Sequence, residues 1–202
     1  MESVRKLRTQ RQIYQAAGRL LKTNSFDKLK ATQIAEEALI SRSGFYLYFS
    51  DKDAMVNEYF TFLYDRVLEI YSENNSSIEE MDKALIDIIE FVQDEEFFSG
   101  LIGEQSNPVI REIIRKRIAE LIISNAMVYY KMFGVEIEEL EGDGETEYYL
   151  EMMVSSIISV LLRWFQRRRR ETPEEIARLV RNCLMFFMNM ILEQRNLGQN
   201  TK

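Results

Sequence analysis

The amino-acid sequence predicts an all-α fold, with an N-terminal three-helix head and a six-helix bundle, about nine helices in all. Three observations carry the prediction. Only 2 prolines and 8 glycines occur in 202 residues, so little interrupts a helix. Apolar residues recur at helical spacing nearly throughout, and no stretch reads as a credible strand. Hydrophobic residues make up 46%, enough to bury a core.

The first helix is expected over about 3–23, with Ile13, Ala17, Leu20 and Leu21 on one face. Asn24, Ser25 and Asp27 break it. In a short helix at about 31–38, Ala31, Ile34, Ala35 and Ala38 fall at i, i+3, i+4 and i+7. Leu39, Ile40 and Ser41 separate it from another at about 42–48, where the Ser41 hydroxyl can accept a first-turn amide as N-cap. Ser50 or Asp51 caps a long helix to about residue 73, and Ser50 with Asp53 has the spacing of a capping box. Asn74, Asn75 and Ser76 end that helix. Ser77 with Glu80 is a second capping box, opening a helix to about 93. A short helix at about 95–103 carries Phe97, Phe98, Leu101 and Ile102. Asn107-Pro108 opens a long helix to about 133, with proline tolerated in its first turn. The acidic, glycine-containing segment 134–145 reads as a loop, followed by a helix at about 146–168. Thr172-Pro173-Glu174-Glu175 joins an N-cap, a first-turn proline and a capping-box glutamate, and starts the last helix, to about 196.

Composition excludes several functions. The chain has no histidine, which removes zinc-hydrolase sites and histidine-activated nucleophiles. Carboxylate metal sites in helical bundles also need histidine, so neither an enzyme, a metal nor a cofactor is expected. The one cysteine, Cys183, has no intramolecular disulfide partner, as expected in a reducing cytoplasm. As a free thiol in an apolar run it reads as a small buried hydrophobe. The longest charge-free apolar run near the C-terminus, Met152 to Leu162, falls short of the roughly 20 residues a membrane helix needs. No signal segment is seen at the N-terminus, and the expectation is a soluble cytoplasmic protein without a membrane partner.

The net charge of −7 hides an asymmetry. Residues 1–50 hold nine basic and four acidic side chains, a net of +5, while the remaining 152 residues carry −12. A basic head on an acidic body suggests a polyanion-binding module, although short windows also fluctuate in charge.

Residues 31–48 have the lengths of a helix-turn-helix, two short helices joined by three residues. The major groove of DNA admits one helix, and the preceding helix braces it across the backbone. Ala31, Ala35, Ala38 and Ile40 let the two helices approach closely, and Phe45 and Phe49 plug the second into the core. Arg42, Ser43, Tyr46 and Tyr48 are then left pointing outward. Arginine can bind guanine bidentately or a phosphate, and hydroxyls suit phosphate oxygens. Lys30, Thr32 and Lys52 are placed to reach backbone phosphates. Together with Ser41 and Gly44 these residues form the candidate DNA-binding set.

The stretch 11–56, and above all SRSGFYLYFSDKDAM at 41–55, resembles the DNA-binding head of TetR-family transcriptional regulators. Phe97-Phe98, Leu161-Leu162-Arg163-Trp164-Phe165 and Thr172-Pro173-Glu174-Glu175-Ile176-Ala177 resemble, more weakly, a TetR C-terminal type frequent in Firmicutes. The resemblance implies a homodimer that binds a pseudo-palindromic double-stranded operator, one head per half-site. It divides the chain into a DNA-binding domain, 1–50, and an effector-binding and dimerisation domain, 51–202. Three departures stand out. Lys30 replaces the usual Ser or Thr cap of the bracing helix, Leu39 replaces a turn glycine, and Gly44 replaces a common Ser or Thr. Leucine disfavours a left-handed conformation, so a differently shaped turn is expected.

In the body, Phe91, Phe97, Phe98, Met127, Tyr130, Met153, Trp164 and Phe165 read first as bundle core. Six of them, Phe91, Phe98, Met127, Tyr130, Met153 and Trp164, are candidates to line an effector pocket. The last two helices, about 146–168 and 173–196, are apolar over much of their circumference and are expected to pair with a second copy. Arg167 to Arg170 read as a solvated helix end. The expected function is a repressor released from DNA by a small, largely apolar effector. The alternative is an interaction protein or activator that answers to a protein partner without a small-molecule effector.

Overall fold

The computed structural model describes residues 2–73, 77–102, 108–132 and 144–199. Among them are nine α-helices and no strand: α1 (Glu2–Leu21), α2 (Ala31–Glu37), α3 (Arg42–Tyr46), α4 (Lys52–Ser72), α5 (Ile78–Asp94), α6 (Glu96–Leu101), α7 (Pro108–Met132), α8 (Gly144–Gln166) and α9 (Pro173–Gln199). No described helix is long and apolar enough to cross a membrane. The chain separates into two compact units, Met1–Glu73 with Asp87–Ile113, and Asn74–Ile86 with Ile114–Lys202. The first unit takes in α4 and α6 besides the 1–50 segment assigned to the head from sequence.

The first unit is built around α1. Ile13, Ala16 and Ala17 are fully buried. At Gly18, α1 meets the backbone of α6 directly: a Cβ there would lie 2.7 Å from the amide nitrogen of Phe97 and 2.8 Å from the carbonyl carbon of Glu96. Tyr14, Phe45, Phe49, Tyr59 and Phe97 fill the core beside it. Each such ring contributes about 2–3 kcal/mol through burial. Part of the break expected at 24–29 is a 3-10 turn, Phe26–Lys28, which buries Phe26.

Most of the helix ends follow the local signals. Thr172 and Glu175 form a reciprocal box, the Thr172 amide donating to the Glu175 carboxylate at 2.9 Å and the Glu175 amide to the Thr172 hydroxyl at 3.3 Å. Ser77 accepts the Glu80 amide at 3.2 Å. At α4 the Ser50–Asp53 box expected from spacing gives way to Asp51, whose carboxylate accepts the Ala54 amide at 2.7 Å. That amide holds the Asp51 carboxyl below the usual carboxylate range. The Asn74–Ser76 stop, Asn107 and residues 134–143 of the expected loop lie outside the described residues. Gly144 and Glu145, assigned to that loop, belong instead to α8.

In the second unit α8 packs along α9. Met153, Val154, Ile157 and Trp164 face inward, as do Ile176, Ala177, Val180, Met188 and Ile191. Trp164 donates its indole N–H to the Glu171 carbonyl at 2.9 Å. The Arg167–Arg170 run is exposed, as a solvated helix end should be. It closes α8 with the Arg169 amide on the Trp164 carbonyl at 2.9 Å and the Arg168 amide on the Phe165 carbonyl at 3.0 Å, both arginines having positive φ.

Candidate nucleic-acid interface

The bracing helix α2 begins at Lys30, whose side chain is no acceptor. The lost cap is half replaced, because the Lys30 amide donates to the Gln33 side-chain oxygen at 2.9 Å. Ile34 and Ala35 are buried against the rest of the unit.

The turn corrects the expectation for Leu39. Its φ is 56°, so leucine adopts the left-handed conformation that glycine usually supplies. Two bonds hold it there: the Leu39 amide donates to the Glu36 carbonyl and the Ile40 amide to the Ala35 carbonyl, each at 3.0 Å. This is the Schellman pattern, which satisfies helix-end carbonyls. The leucine side chain is 93% exposed, so the turn keeps its shape with the side chain turned to solvent.

At the start of α3 the Ser41 hydroxyl accepts the Gly44 amide at 2.9 Å and lies 3.0 Å from the Ser43 hydroxyl. Phe45 and Phe49 are buried, with ring centroids 5.7 Å apart, and Phe49 lies 5.6 Å from Tyr14 of α1. These contacts set the rotation of α3 about its axis. Arg42, Ser43 and Tyr46 are therefore exposed, and Tyr48 is half-buried. The Arg42 guanidinium lies 5.8 Å from the Tyr46 ring centroid, a contact that restricts both side chains in advance. Lys30 is exposed and Thr32 half-buried at the N-terminal end of α2.

Two side chains depart from the sequence-based assignment. Lys52 donates through Nζ to the carbonyls of Phe26 at 2.8 Å and Asp27 at 3.0 Å, with the Phe26 ring 4.7 Å away. It clamps the 3-10 turn to the start of α4. Leu47, absent from the assigned set, is 82% exposed. Hydropathy reads it as core, but at roughly 100° per residue it lies on the far side of the helix from Phe45. That angle was the signal available in the sequence.

The effector candidates whose side chains are described fall in both units. Phe98 is core, 6.4 Å from Phe60. Met153 and Trp164 are core of the second unit. The side chains of Met127 and Tyr130 lie outside the described residues. Phe91 lines a cavity of about 380 Å³ in the first unit, together with residues of α1, α4 and α6. Beside that cavity the Tyr59 hydroxyl donates to the Glu95 carboxylate at 3.0 Å and accepts the Phe98 amide at 3.2 Å. Burial pushes the Tyr59 hydroxyl and the Glu95 carboxyl above their ordinary values. Glu95 escaped the sequence reading because its partners are distant in the chain.

Two short helices, a tight left-handed turn and a polar outer face over an aromatic anchor define a helix-turn-helix DNA-binding protein. The family model for bacterial regulatory proteins of the tetR family matches residues 13–59, and the model for a transcriptional regulator C-terminal region matches residues 79–185. The chain belongs to the TetR family of transcriptional regulators, which bind DNA and are not enzymes. A curated relative, the HTH-type transcriptional regulator YuxN of Bacillus subtilis, is 25% identical over 158 residues, 70% of this chain and 54% of its own length. The chain thus spans about half the length of the curated relative it matches. Among solved structures, the fold is similar to the fatty acid degradation regulator FadR from Bacillus halodurans, at 20% identity and a TM-score of 0.63, covering 86% of this chain and 92% of that one. It is also similar to a TetR-family regulator from Mesorhizobium loti, at 18% identity and a TM-score of 0.59, covering 92% and 98%. FadR of Thermus thermophilus, solved with lauroyl-CoA, is 19% identical with a TM-score of 0.54, covering 87% and 93%.

Proposed function

We propose that this regulator is a cytoplasmic repressor that binds a pseudo-palindromic operator as a homodimer and leaves it when a small, largely apolar effector occupies the protein. One observation carries the DNA-contacting part. Phe45 and Phe49 are buried while Arg42, Ser43, Tyr46 and Leu47 stand exposed around them. In this reading Arg42 reads a guanine edge or holds a phosphate. Ser43, Tyr46 and Tyr48 donate hydroxyls to the backbone, and Lys30 and Thr32 fix the bracing helix on phosphates. Leu47 meets a thymine methyl group. Ser41 and Gly44 build the helix start, and Lys52 supports it from behind.

Dimerisation through α8 and α9 is supported by apolar side chains left at the surface: Met152 at 45%, Leu179 at 46% and Phe186 at 59% exposure. Two heads would then meet half-sites about 34 Å apart, or a multiple of that spacing.

Selection of bound duplexes from a random pool, followed by footprinting, tests the reading. The expected result is a palindromic motif with two protected half-sites, weakened by about 1–3 kcal/mol in Arg42→Ala or Tyr46→Phe. Affinity no higher than for bulk DNA would exclude it.

A further inference from the structure

The 380 Å³ cavity of the first unit has a composition unlike a plain hydrophobic pocket. Four of its nine lining residues are aromatic, Tyr14, Phe62, Phe91 and Phe97, and Gln15 adds a neutral polar group. Phe62 and Phe91 are half-buried, with ring centroids 6.4 Å apart in an edge-on pair, so part of each ring is open to an occupant. Its charged residues are three consecutive acids, Asp94, Glu95 and Glu96, and one base, Arg11. Glu96 is held by Lys22 at 2.7 Å. Glu95 faces Arg11 at 3.9 Å, and that arginine side chain is 65% exposed, so the pair is weak and easily displaced. No ion pair engages Asp94 among the described residues.

Aromatic faces attract cations through the ring quadrupole, and most strongly where water is excluded. Carboxylates in the same cavity add attraction for a cation and repel an anion. A cavity of this size accepts a ligand of one or two rings.

The connection to α3 is also visible. Tyr14 stacks on Phe97 with centroids 5.9 Å apart and planes 9° from parallel, and it touches Phe49 at 5.6 Å. Phe49 in turn touches Phe45, the buried anchor of α3. An occupant pressing on Tyr14 therefore acts two rings away from the helix start.

We propose that this cavity is a binding site for an organic cation with an aromatic or branched apolar body, and that its occupancy changes the mobility of residues 42–49 through Tyr14, Phe49 and Phe45. Only the further step, from that change to release of an operator, rests on the function proposed above.

Isothermal titration calorimetry of the full chain without DNA tests the site, with three probes sharing one phenyl body: benzyltrimethylammonium, N-benzylacetamide and benzylsulfonate. The cation is expected to bind saturably and about tenfold tighter than the neutral probe, with the anion weaker still. Asp94→Asn, an exposed and conservative change, and Phe91→Ala should each weaken the cation by about fivefold or more. Equal affinity for the neutral probe, or undiminished binding by Asp94→Asn, overturns the site. Hydrogen exchange of the 42–49 amides, again without DNA, should change on saturation with benzyltrimethylammonium, and unchanged exchange overturns the coupling. Loss of operator binding in the ligand-free protein would refute the function proposed above and leave these readouts intact.

Discussion

The Ser41 hydroxyl accepts the Gly44 amide at 2.9 Å, and a Cβ added to Gly44 would stand 3.2 Å from that same oxygen. Cap and glycine are thus coupled. Removing the cap by Ser41→Ala should cost about 1 kcal/mol. Gly44→Ala should gain less than the roughly 1 kcal/mol that helix propensity alone allows, because the new methyl crowds the cap. In a denaturation cycle, Ser41→Ala should therefore cost less in the Gly44→Ala background. Strict additivity would show that the crowding is relieved at no cost.

Leu39 holds a positive φ while its side chain lies in solvent. Leu39→Gly relieves a conformation that costs an L-residue roughly 1–2 kcal/mol and gives back part of this through a more flexible unfolded chain. A net stabilisation of about 0.5–1 kcal/mol is expected in urea denaturation. A destabilised variant would mean that the leucine side chain makes a stabilising contact.

Lys52 and Lys30 separate a clamp from a phosphate contact. Lys52→Met should destabilise the fold by about 1 kcal/mol, through the lost bonds to the carbonyls of Phe26 and Asp27, and leave the salt dependence of operator binding unchanged. Lys30→Ala should leave stability unchanged and lower the salt slope by about one. Binding isotherms across a salt series decide, and a reduced slope in Lys52→Met would return Lys52 to the DNA contacts.

Phe186, exposed on α9, is expected at the centre of the dimer face. Phe186→Glu should convert the protein to monomer in sedimentation analysis, since burying an unpaired charge is costly. A dimer of unchanged strength would move the interface elsewhere.

Glu95 gives a pH signature. Burial raises its carboxyl above the ordinary value of 4.5, so the folded protein holds the proton more tightly than the unfolded chain. The penalty for ionising it is absent below that ordinary value and grows as pH rises toward the folded one. Glu95→Gln keeps a partner for the Tyr59 hydroxyl, and should stabilise the protein at neutral pH with a benefit that shrinks to nothing on acidification. A benefit independent of pH in thermal melts would assign the effect to packing instead.

What the chain carries locally was legible without coordinates. The serine at 41, the Thr172–Glu175 box, and the 3.6-residue spacing of Ile34, Ala35 and the Phe45–Phe49 pair each act within one or two helical turns. They specified the helices, the helix-turn-helix segment and its aromatic anchor. The tertiary structure decided the rest, because the interactions concerned join residues far apart or balance competing local preferences. Asp51 rather than Ser50 caps α4. Leu39 turns left-handed because two backbone bonds close around it. Lys52 reaches back to carbonyls about 25 residues earlier in the chain. Phe91 joins Tyr14 and Phe97 around a cavity, and at Gly18 the missing side chain lets α1 lie directly on α6. Helical periodicity states which face of a helix is buried; it does not state which other face it meets.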